Sequence, residues 1–131
     1  MKKTDEENEL ERDARRETNR LVKLVKGAIP ARAQVIRPLC ENVGWMKAKL
    51  DRARARIGED DLTIEYQHGK DQSGVMVNPA LTAYEMLFKS YISGLVKILD
   101  QLPPAEAQRA IEKEPKKTML AIIRERREGA S

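Results

Sequence analysis

Lys49, Arg52 and Arg56 stand at i, i+3 and i+7, a spacing that gathers three cations on one side of an α-helix. Lys47 and Arg54 share a neighbouring side, and Arg20, Lys23 and Lys26 precede them in the chain. Cations in this pattern suit the neutralisation of nucleic-acid phosphates. A merely solvated helix face would carry the same residues, so both readings stand at this point. Charge segregation sharpens the question. Residues 18–56 hold ten basic and two acidic side chains, a block of +8, whereas residues 57–78 hold one basic and five acidic, although the whole chain carries only +4. An anionic polymer would be drawn to the first block. Trp45 lies within it and reads as a hinge or interface anchor rather than a base-stacking platform. The segments are too long for a helix-turn-helix, which leaves phosphate and shape contacts rather than base reading.

The inventory for catalysis is sparse. Cys40 is the sole cysteine and His68 the sole histidine, which excludes an intrachain disulfide, thiolate clusters, multi-His zinc sites and the usual His-based triads. Cys40 reads as a buried apolar thiol. Asp60-Asp61 and Glu65 have no second histidine and no nucleophile motif beside them, and Asp60-Asp61 reads as helix-end solvation rather than a Mg²⁺ site. The glycine-bracketed run from Gly69 to Gly74 reads as a hairpin turn, not a phosphate cradle. No enzyme activity and no cofactor are expected.

The elements that must position the cations come from hydrophobic spacing. With 131 residues, 35% charged and only 4% aromatic, the chain suits one domain whose core is aliphatic and helical. Ile36, Leu39, Val43, Met46, Leu50, Ala53 and Ile57 recur at alternating spacings of three and four, a heptad seam. Leu81, Tyr84, Phe88, Tyr91, Leu95, Ile98 and Leu102 repeat the same arithmetic. Two matched seams predict an antiparallel helical hairpin. Pro38 would kink the first of these helices or mark its first turn; Asn78-Pro79 caps the second and Pro103-Pro104 stops it. Between them, the alternation of Leu62, Ile64 and Tyr66 and the run Val75-Met76-Val77 predict a short β-ribbon at the hairpin tip.

The expected fold is therefore mainly α. Residues 1–29 form a charged N-terminal helix, residues 30–103 the hairpin with its ribbon at about residues 59–78, and residues 104–131 short C-terminal helices with a basic tail. The N-terminal helix has few apolar residues in its first half and is expected to pack only at its C-terminal end, with a frayed or partner-dependent start and a stop at Gly27. Lys116 to Glu128 offers a last amphipathic stretch through Met119, Leu120, Ile122 and Ile123, and RERREGAS should be a solvated tail. The seam of the second hairpin helix is wider than one partner needs. Leu87, Ile92, Val96 and Leu99 are the surplus, to be covered by the first helix, the C-terminal helices or another copy of the chain, and they are the expected oligomer interface. No apolar run approaches a membrane span, and the acid-rich start is unlike a signal peptide, so a soluble cytoplasmic protein is expected.

The stretch VIRPLCENVGWMKAKLDRARARI, followed by LTIEYQHGKDQSGVMVNPALTAYEMLFKSYISGLVKILDQLP, resembles the small terminase subunits of tailed bacteriophages. The resemblance covers about residues 35–104. It is carried by Tyr66, Gly69, Gln72, Gly74 and Asn78-Pro79, then by Tyr84, Lys89-Ser90-Tyr91 and Leu99. Family members often carry more glycine where this chain has His68, Lys70 and Asp71. The resemblance implies a non-enzymatic DNA-packaging factor in the cytoplasm of an infected bacterial host. Such proteins assemble into homo-oligomeric rings, bind double-stranded viral DNA and deliver it to the large terminase subunit. It carries over no catalytic or DNA-contact residue, so Arg20, Lys23, Lys26, Lys47, Lys49, Arg52, Arg54 and Arg56 are candidates by charge alone. A helical adaptor acting only through protein partners is the competing expectation.

Overall fold

A computed structural model describes residues 3–59, 63–67 and 73–129. Helix α1 (Asp5–Ala28) opens on a capping box: the Thr4 hydroxyl accepts the Glu7 N–H at 3.1 Å, and the Glu7 carboxylate accepts the Thr4 N–H at 3.2 Å. Asp5, Glu6 and Glu7 in the first turn suit the positive end of the helix dipole. These bonds correct the expectation of a frayed start. The buried residues of α1, Thr18, Leu21 and Val25, all lie in its second half, while Leu10 and Ala14 are half-buried. Gly27 falls inside the last turn, and the helix ends at Ala28.

A 3₁₀ turn (Pro30–Arg32) leads into α2 (Ala33–Glu59). Pro38 neither starts nor ends this helix; it sits in the second turn. Its missing N–H leaves the Gln34 carbonyl without a helical donor, and both residues are exposed, where the loss costs least. Strands β1 (Thr63–Gln67) and β2 (Ser73–Val77) pair antiparallel, with Thr63 opposite Val77 and Tyr66 opposite Gly74. Asp60-Asp61, Leu62, His68, Gly69, Lys70, Asp71 and Gln72 lie outside the described residues.

Helix α3 (Pro79–Leu99) is capped by Asn78, whose Oδ1 accepts the Ala80 N–H at 3.0 Å, with Pro79 at the first position. Helices α4 (Pro104–Glu112) and α5 (Lys116–Gly129) follow the double proline and Pro115. The last helix continues through Arg124–Gly129, so the segment expected as a solvated tail is helical as far as Gly129. Arg126 pairs with Asp100 at 3.4 Å, which ties that extension to the end of α3.

Helix α2 is the middle layer, packed antiparallel on α1 along one side and on α3 along another. Glycine permits both approaches. A Cβ at Gly44 would lie 2.5 Å from Thr18 Oγ1 and 2.8 Å from the Ala14 carbonyl oxygen, and one at Gly94 would lie 2.7 Å from Val43 Cγ2. The core joins Leu21 and Val25 of α1, Ile36, Val43, Met46 and Leu50 of α2, and Tyr91, Leu95 and Ile98 of α3. Ile111 and Ile122 close it from α4 and α5. Toward the ribbon, Ala53 and Ile57 on α2 and Leu81, Tyr84 and Phe88 on α3 are only half-buried.

The surplus face of α3 meets the chain's own C-terminus. Ile92, Val96 and Leu99 are 3%, 8% and 2% exposed, and α5 lies along α3, its Lys117 ammonium 5.4 and 5.0 Å from the Tyr84 and Phe88 ring centres. This corrects the interface assignment: those three side chains are core within one chain, and only Leu87 of the four remains half-buried. No helix among the described residues is long and apolar enough to cross a membrane.

Candidate nucleic-acid interface

Lys49, Arg52 and Arg56 do share one side of α2, off the seam that faces α3. Trp45 stands one turn before Lys49, 46% exposed, with the Lys49 ammonium 5.5 Å from its ring centre. The face is not free of acid. Arg56 Nη2 lies 2.5 Å and Arg52 Nη1 3.8 Å from the same Glu6 oxygen, contributed by the first turn of α1. The Arg52 Nε is buried and has no hydrogen-bond partner among the described residues.

The remaining five cations lie elsewhere. Lys47 and Arg54 are two residues off Lys49 and Arg56, a rotation of roughly 160° around the helix. Lys47 is paired within its own helix to Asp51 at 2.7 Å. Lys23 and Lys26 are exposed near the far end of α1. Antiparallel packing with Glu6 beside Arg56 and Thr18 beside Gly44 puts them on the order of 30 Å from the Arg52–Arg56 end. Lys47 and Arg54, expected on a neighbouring side, are thus nearly opposite, and Arg20, Lys23 and Lys26 do not join the Lys49–Arg56 face: helical rotation and the antiparallel turn disperse the eight candidates.

Arg20 belongs to an ionic cluster rather than an open face. Its Nη2 lies 2.5 Å from Glu17 and 3.5 Å from Glu114, so it joins α1 to the α4–α5 joint. The hydrogen bond to Glu17 raises the guanidinium pKa further. Burial lifts the Glu114 carboxyl above its ordinary range, and the more distant Arg20 offsets this only in part. Tyr91 is enclosed beside this cluster. Its hydroxyl has no partner among the described residues, and burial, reinforced by the charges of Glu114 and Glu17, pushes its pKa well up. Cys40 is fully buried, and desolvation raises its thiol too, the opposite of what a reactive cysteine needs.

No group of three or more His, Cys, Asp or Glu side chains among the described residues is arranged to hold a metal ion. Sequence reasoning missed Glu6 as the partner of the basic face, because a contact between positions 6 and 56 leaves no periodic signal. It missed Gly44 and Gly94 as contact points, although a glycine inside a helical seam is the signal that marks them. No protein-family model matches the sequence, and neither curated proteins nor solved structures give a match.

Proposed function

We propose that this chain is a DNA-packaging subunit of the small-terminase kind. It is non-enzymatic, assembles into a homo-oligomer, binds double-stranded viral DNA and delivers it to a large terminase subunit in the infected bacterial cell. The observation that supports this reading most directly is the grouping of Lys49, Arg52 and Arg56 on one side of α2, beside an exposed Trp45. Phosphate contacts need no base-reading motif, and repetition around a ring would turn one weak face into an avid surface. The glycine-marked ribbon and the Asn78-Pro79 cap that carry the family resemblance belong to the same reading.

The test is binding to duplex DNA across a salt titration, with the oligomer's mass followed by light scattering. Affinity should fall steeply with salt. Replacing Lys49, Arg52 and Arg56 together by Ala should lower the slope of log affinity against log salt by roughly 2 to 3. Salt-insensitive binding, or none by an intact assembly, would remove the DNA reading.

One observation favours the competing adaptor reading. Met86, Leu120 and Ile123 are 68%, 53% and 41% exposed on α3 and α5, apolar area suited to protein contact. A pull-down that recovers a protein partner while duplex DNA stays unbound at low salt would select it.

A further inference from the structure

We propose that the acidic first turns of α1 are a displaceable competitor, built into the chain, for the Arg52–Arg56 face, so that a polyanion must displace Glu6 to engage it. The inference rests on the phosphate-binding reading above and adds its regulation. Between residues 5 and 13 the chain places six carboxylates against one arginine, a density of negative charge that imitates a phosphate backbone.

Geometry makes the contact real and incomplete. Glu6 bonds Arg56 closely but stands 3.8 Å from Arg52 Nη1, beyond hydrogen-bonding distance, and the buried Arg52 Nε gains no acceptor among the described residues. A guanidinium held this way gives up solvation without full pairing, so it is better satisfied by a phosphate that reaches both nitrogens. The cover is also easy to lift. No residue of α1 before Thr18 is fully buried, and an open groove lined by Leu10, Ala14 and Trp45 flanks the two helices beside their close contact at Gly44. Local opening of a segment with so little buried apolar area costs far less than unfolding the core. Removing Glu6 leaves the start of α1 intact, because its cap is made by Thr4 and Glu7.

Duplex DNA binding is measured at low and high salt for the full chain, Glu6→Gln, Glu9→Gln, Arg52→Ala/Arg56→Ala, and the triple variant that adds Glu6→Gln to the two arginine changes. Glu9 makes the same charge change on the same helix and forms no ion pair among the described residues. Glu6→Gln should tighten binding about twofold to fivefold at low salt, the range expected of an exposed ion pair. The gain should shrink as salt screens the pair. Glu9→Gln should do less, and Glu6→Gln should do nothing further once both arginines are gone. Equal gains from Glu6→Gln and Glu9→Gln, or a gain that persists without the arginines, would overturn the competitor while leaving steep, arginine-dependent binding by the unaltered chain intact. Failure of every form to bind DNA, with helicity unchanged by circular dichroism, would overturn the phosphate-binding reading and the competitor together.

Discussion

Replacing Gly44 by Ala tests the layered packing at its tightest point. A Cβ there would meet two backbone atoms of α1, the Ala14 oxygen at 2.8 Å and the Thr18 nitrogen at 3.0 Å, as well as Thr18 Oγ1 at 2.5 Å. Rotation of Thr18 relieves only the last, and breaks the 2.8 Å bond its hydroxyl donates to the Ala14 carbonyl. Relief of the backbone clash requires α1 to retreat by about 0.6 Å, which loosens contacts along a close-packed interface. Overpacking of this kind costs about 1 to 3 kcal/mol. The better helix propensity of alanine returns up to about 1 kcal/mol. The net expectation is destabilisation by about 1 to 2 kcal/mol, or a fall in Tm of roughly 3 to 8 °C for a chain of this size. Gly58→Ala is the matched control, since a Cβ there meets nothing within 4 Å, and it should be neutral or stabilising by a few tenths of a kcal/mol. Thermal or urea unfolding at one fixed protein concentration makes the comparison. A Gly44→Ala protein as stable as Gly58→Ala would refute the close approach of α1 to α2.

Two further outcomes follow from the cap and the ionic cluster. Asn78→Ala removes the acceptor for the Ala80 N–H and should cost about 1 kcal/mol in urea unfolding, while Asn78→Asp should keep most of that stability. Burial raises the folded-state pKa of Glu114, so the folded protein binds more protons than the unfolded chain between the unfolded and folded values, and stability should fall as pH rises through that window. Glu114→Gln should be more stable than the parent at neutral pH and should flatten that slope; an unchanged slope would show that Glu114 is not the group responsible.

The mainly helical fold was legible because its heptad spacing and its punctuation agree. Asn78-Pro79 and Pro103-Pro104 bound α3 within a few residues of where the helix starts and stops. Periodicity reports that a face is buried but not what buries it. Ile92, Val96 and Leu99 therefore looked available to another copy, when α5 lies along the same helix. The solvated tail expected from Arg124 onward is instead helix as far as Gly129, because charged residues such as Arg126 favour helix as readily as coil, and Arg126 pairs with Asp100. At the candidate interface, the spacing of Lys49, Arg52 and Arg56 was readable from helical geometry alone. The dispersal of the other cations depended on how α1 packs on α2, and the opposing Glu6 on a contact across fifty residues of chain.

The order of packing along the chain also bears on how the molecule folds. Helices α1, α2 and α3 each pack on the next in sequence, so their contacts, from Thr18–Gly44 to Glu6–Arg56 at fifty positions, close shorter loops than a contact between α1 and the α4–α5 joint. The Arg20–Glu114 bond spans 94 positions and carries the steepest loop-closure entropy. Substitutions at this clasp should then speed unfolding while leaving the refolding rate nearly unchanged, whereas substitutions at Gly44 should slow refolding itself.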